Sequence, residues 1–162
     1  MDDDRALVER QLGRPPRAFR RVVVRCPFGR PAVTEQTPFD SRGEPFPTTY
    51  YLTCPHLVAA VSRLEAAGGV DRWSAAAKDD PELAASRAAA DEEQRRIRRG
   101  LADGREHPSV DSGVGGSSRA GSLKCLHAHV AFALARPGYE LGERIAAEID
   151  VPWPDRCCMD AR

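Results

Sequence analysis

Apolar residues along this chain alternate between two spacings, and the change from one to the other marks its elements. Phe19 to Cys26 contains the β-branched run Val22-Val23-Val24 and reads as a strand stopped by Pro27 and Gly29, leaving Cys26 at its end. Pro31 to Gln36 reads as a second strand across a tight connection, and Thr48 to Thr53 as a third. Between these, Thr37 to Pro47 carries Pro38, Gly43, Pro45 and Pro47 and reads as a loop.

Helical spacing surrounds these strands. Asp3 or Asp4 is a cap for a helix over Arg5 to Leu12, closed by Gly13. After Cys54-Pro55-His56, Leu57, Val58, Val61 and Leu64 recur at helical intervals until Gly68-Gly69, with proline suited to the first helical position. An Ala/Arg/Glu-rich helical segment follows at about 72–103, with Asp80-Pro81 as a start signal. Leu83, Arg87, Ala90, Gln94, Ile97 and Leu101 form its thin stripe, and Asp91/Arg95 and Glu92/Arg96 are acid-before-base pairs.

Past the Gly/Ser-rich loop Asp111 to Ser122, Ser122 is the expected cap of a helix with Leu123, Leu126, Val130, Ala133 and Leu134 as its buried stripe. Tyr139 to Ile149 makes a last amphipathic helix. The expectation is one α+β domain over residues 1–150, a small three-stranded antiparallel sheet packed with four to five helices. Residues 151–162 form an irregular tail rich in proline and cysteine.

Composition narrows the function. With 162 residues, 41% hydrophobic and 30% charged, the chain suits one soluble domain. Lys+Arg 24 balance Asp+Glu 24, so no net charge draws it to nucleic acid or to an anionic membrane. No apolar run approaches the roughly 18–20 residues of a membrane span, and the acidic Met1-Asp2-Asp3-Asp4 is unlike a secretory signal. The expected location is the cytoplasm. There, five cysteines point to ligands, nucleophiles or core residues rather than to disulfides.

Cys26 ends a strand, Cys54 precedes a helix and Cys125 falls in the first turn of another. Free N–H groups and the positive dipole end would lower a thiol pKa at the last two. Cys125 and His129, four apart, share a helix flank and can reach one metal. The sharpest expectation is a site of Cys26, Cys54 and Cys125 with His129 or His127, binding zinc or an iron–sulfur cluster. No C-x2-C pair supports it. Two alternatives stay open beside cysteines that merely fill the core. In the first, Cys125 is a nucleophile, with His127 or His129 as base, on a small anionic substrate cradled by Gly115, Gly116, Ser117 and Arg119. In the second, the helix over 80–101 offers its charged face to a protein partner or a second copy. No reaction is named by any of this.

Several separated motifs, in order, resemble one family. They are Leu12-Gly13-Arg14, Arg25-Cys26-Pro27-Phe28-Gly29, the run Pro45 to Pro55, and Lys124-Cys125-Leu126-His127-Ala128-His129. Gly113 to Gly116 matches the loop before the family's cysteine helix. Over about Leu12 to Ile149 the chain resembles the bacterial domain of unknown function 501, common in actinobacteria. The resemblance implies a protein without a signal sequence, encoded near a septum-formation initiator and an exopolyphosphatase. It brings no activity with it.

Overall fold

The computed structural model describes residues 3–116, 122–149 and 151–160. Helix α1, Asp4–Leu12, is capped by the Asp3 carboxylate, which accepts from Arg5 N, and ends on Gly13 in the left-handed conformation. Strands β1 (Phe19–Arg25), β2 (Pro31–Gln36) and β3 (Tyr50–Leu52) form an antiparallel sheet in that order. Val22 faces Thr34, and Thr34 faces Tyr51. The β1–β2 connection closes through Cys26 N donating to Arg30 O and Gly29 N to Cys26 O, with Gly29 at φ 75°. β2 is buried along its whole length because it is the middle strand.

The remaining helices are α2 (Pro55–Ala66), α3 (Gly69–Asp79), α4 (Pro81–Leu101), α5 (Leu126–Ala135) and α6 (Glu140–Glu148). The fold is therefore α+β, with six α-helices among the described residues where the pattern predicts four to five. The segment expected as one Ala/Arg/Glu-rich stretch is two helices, broken where the Asp80 side chain accepts from Glu82 N and Leu83 N. None of the helices among the described residues is long and apolar enough to cross a membrane.

The core forms around α5. Seven of its ten residues are buried, so it is apolar almost all round rather than along a stripe, and Leu134 of the expected stripe is exposed. Phe132 stacks edge-on against Tyr50 of β3 and Tyr139 before α6. Gly142 lets α6 approach closely: a Cβ there would lie 2.7 Å from His129 O and 2.5 Å from the Tyr139 ring. Gly142→Ala should therefore force the two helices apart and cost about 1–3 kcal/mol. A denaturant midpoint unchanged from wild type would refute this packing.

The inward face of α4 is unusual in being polar. Gln94 Nε2 donates to Ser112 O and Gly113 O, Asp91 Oδ1 accepts from Val114 N, and Arg87 donates to Ser122 O. These side chains tie an irregular backbone segment to α4. Four arginines on and just after β1 meet the chain's own acids: Arg20 and Arg21 meet buried Glu35, Arg25 meets Asp4, and Arg30 meets Asp160.

Candidate functional site

The structure divides the expected cysteine set between two places. Cys26 and Cys54 pack together with Ala32 in a small apolar cluster, with Cys158 of the tail against it. Cys125 lies elsewhere, with His127 and Glu65, and their ligand atoms are all within 4.8 Å of one another. No other group of three such side chains meets this distance among the described residues.

Local conformation explains the division. α5 starts at Leu126, so Cys125 is its extended N-cap residue at φ −147°, not a member of its first turn. The relation of i to i+4 with His129 therefore does not apply. Ser122, the expected cap, lies outside the helix and accepts from Lys124 N instead. Lys124 has φ 62°, and Cys125 N closes a three-residue turn onto Leu123 O at 2.7 Å. This turn aims the Cys125 side chain toward α2 rather than along α5.

His129 takes no part in the group. It is completely buried in the core. Leu123 O can only accept, so Nε2 carries the proton at 3.2 Å, and Nδ1 accepts from Tyr139 Oη at 2.7 Å. Both nitrogens are used, and burial pulls its pKa down to about 4.

Around His127 the contacts are short. Nδ1 lies 3.1 Å from Glu65 Oε1 and 3.7 Å from Cys125 Sγ, while Nε2 lies 3.2 Å from Ser62 Oγ. Glu65 Oε1 also accepts from Leu126 N at 2.7 Å, which caps α5. The Cys125 side chain, then the Glu65 carboxylate, hold the imidazole pKa above its ordinary value against the opposing effect of burial. Glu65 and Ser62 were not anticipated. They sit one turn apart on α2, about sixty residues from His127 in the chain, and nothing in their own neighbourhood distinguishes them from surface residues.

Cys54 departs from expectation in another way. Burial pushes its thiol up to about 11, outweighing the N–H groups of Leu57 and His56 at the start of α2. A helix N-terminus lowers a thiol pKa only where desolvation does not exceed it.

A cleft of about 530 Å³ opens beside the group. Cys125, His127 and Gly115 line it together with Tyr51, Thr53 and Gln11. Gln11 donates through Nε2 to Pro31 O, which fixes its amide orientation and leaves Oε1 on the other side. Neither Gln11 Oε1 nor Thr53 Oγ1, both buried, has a partner among the described residues. In the expected anion cradle, Gly115 and Gly116 have φ 76° and 73°, but Gly116 N is spent on Gly113 O and Lys124 Nζ approaches Gly116 O. Ser117 and Arg119 lie outside the described residues.

No curated protein and no solved structure matches the chain. A family model matches residues 22–146, a stretch holding β2, β3, most of β1, the Cys125 turn and both α2 contributors to the site. The chain thus belongs to the family described as protein of unknown function, DUF501.

Proposed function

We propose that Glu65, Cys125 and His127 hold a single zinc ion whose remaining position faces the 530 Å³ cleft. The observation that carries this reading is the convergence of a thiol, an imidazole and a carboxylate on one point, their ligand atoms within 4.8 Å of one another. His127 Nδ1 has both Cys125 Sγ and Glu65 Oε1 beside it, more than one N–H can serve well. A metal ion satisfies all three at once. Ligand atoms on one tetrahedral zinc lie about 3.3–3.6 Å apart, given its bond lengths to sulfur, nitrogen and oxygen. The two distances from His127 Nδ1, 3.7 and 3.1 Å, are close to that, and Cys125 Sγ lies within 4.8 Å of the Glu65 carboxylate.

The surroundings fit the same reading. With Nδ1 on the metal, the Nε2 proton donates to Ser62 Oγ and sets the ring's orientation, while Leu126 N steadies Glu65. One thiolate, one imidazole and one carboxylate suit zinc; an iron–sulfur cluster wants mainly cysteines. Three protein ligands beside an open cleft suit metal-activated water more than a closed structural site. Gln11, Thr53 and Tyr51 give the cleft wall polar side chains, which suit a polar substrate. The function supported best is metal-assisted hydrolysis of a small polar substrate.

A second reading uses the same side chains without metal. Cys125 at the start of α5, paired with a His127 that favours its charged form, is the arrangement of a nucleophilic thiol. Elemental analysis of the purified full chain separates the two. Near-stoichiometric zinc is expected, lost in Cys125→Ala and His127→Ala but retained in Cys26→Ser and Cys54→Ser. Ser62→Ala should keep the site and weaken zinc about 10–100-fold. Protein that neither contains nor takes up zinc, with Cys125 alkylated fastest by iodoacetamide, would replace the metal reading with the thiol one.

A further inference from the structure

The second cysteine cluster has its own chemistry. Cys54, 2% exposed, sits at the start of α2, beside Cys26 at the end of β1. The tail turns back onto both. Asp160 N donates to Cys157 O, and the Asp160 carboxylate lies 3.9 Å from Arg30, so the turn over residues 157–160 is pinned beside the β1–β2 connection. That turn seats Cys158 against Cys26, Ala32 and Cys54, with its thiol close enough to that of Cys54 to interact with it. Upstream, Trp153 stacks on His56 in the first turn of α2, ring centroids 4.9 Å apart. The tail thus has two anchors on the same helix end.

The two thiols differ in access. Cys54 is enclosed, whereas Cys158 is half-buried and lines a cleft of about 520 Å³ together with Leu7, Arg10, Gln11, Arg30 and Pro55. One thiol is open to a small reagent, and the other waits behind it. The remaining tail cysteine, Cys157, is 2% exposed and lies outside the Cys26–Cys54 cluster.

We propose that Cys158 and Cys54 form a peroxide-oxidisable thiol pair, a modification site separate from the Glu65–Cys125–His127 group, whose disulfide clasps the tail to the start of α2. The Cys158 thiolate attacks one oxygen of hydrogen peroxide; the O–O bond breaks, hydroxide leaves and Cys158 becomes a sulfenic acid. The Cys54 sulfur then attacks the Cys158 sulfur. The S–O bond breaks, and the departing hydroxyl leaves as water with the Cys54 thiol proton. Two thiols are oxidised and one peroxide is reduced to water. A dithiol reductant reverses the change. Because the loop closed runs from residue 54 to residue 158, the disulfide joins the end of the chain to its middle.

The test is non-reducing peptide mapping of the full-length protein after brief hydrogen peroxide treatment and alkylation. Trypsin cuts after Arg156, so the peptide carrying Cys157 and Cys158 is released from reduced protein. It should remain linked to the peptide containing Cys54 after oxidation, and dithiothreitol should free it. In Cys54→Ala the link should vanish and a sulfenic acid trap should label Cys158; circular dichroism checks that this variant folds. Cys158→Ser, at a half-buried tail position, should lose both the link and the label. A Cys157–Cys158 or Cys26–Cys158 link in wild type, or oxidation confined to Cys125, would overturn the proposal.

Discussion

Arg98→Ala is expected to destabilise the protein by about 3–5 kcal/mol, a large share of the roughly 5–15 kcal/mol that holds a domain folded. The arginine is fully buried on α4. Its Nε donates to Ser109 O at 2.9 Å, one terminal nitrogen to Phe46 O at 2.7 Å and the other to Thr49 Oγ1 at 3.3 Å. No carboxylate pairs with it among the described residues, and burial lowers its pKa to about 10, which leaves it charged at neutral pH. Truncation removes the donor and strands buried acceptors in two separate segments.

Those segments border the cleft: Thr48 comes from one and Gly115 follows the other. Loss of Arg98 should therefore loosen the site wall as well as the fold. Chemical unfolding measures the first effect and zinc affinity the second. Arg99→Ala is the control, because Arg99 is half exposed and its ion pair with Asp111 is worth at most about 1 kcal/mol. Equal losses in the two variants would show that burial of Arg98 carries no special weight.

The second large effect is a pH dependence from His129. In the folded protein it stays neutral down to about pH 4, whereas its ordinary value is 6.5. Between those values the unfolded chain binds a proton that the folded one refuses. Stability is thus fully present above pH 6.5 and falls as the pH drops toward 4, by about 3 kcal/mol in all. His127, with its pKa raised, acts in the opposite sense but only above pH 6.5, so it does not mask the fall. Denaturant unfolding of chelator-treated protein at pH 7, 6 and 5 measures the slope. In His129→Gln, which can still donate to Leu123 O, the slope between pH 6.5 and 5 should flatten. An unchanged slope would mean that His129 is not held neutral by the core.

Local rules made much of the fold legible from residues alone. The Asp3 cap, the Gly13 stop, β2 over Pro31–Gln36 and the start of α4 at Asp80-Pro81 each depend on side chains within a few positions of one another. Cys125 and His127 were legible as candidate site residues for a similar reason, since a cysteine and a histidine two apart follow a glycine-rich loop. Their partners were not. Glu65 and Ser62 look like ordinary surface residues of α2, and only the packing of α2 beside the start of α5 brings them to the imidazole.

Tertiary structure also decided the roles within the cysteine set. Whether a helix start lowers a thiol pKa depends on the thiol's desolvation, which a linear pattern does not carry; at Cys54 burial wins and the pKa rises. Arg98 reads as surface from its type alone, yet the irregular segments 43–49 and 109–116 need a long donor between them, and α4 supplies it. By itself the sequence determined the three strands, their antiparallel sheet and most of the helices, because those follow from spacing and local capping. Which donors share one point in space, and which cysteines stand apart from it, were decided only by how the helices close on the sheet, since burial and convergence are properties of the packed molecule.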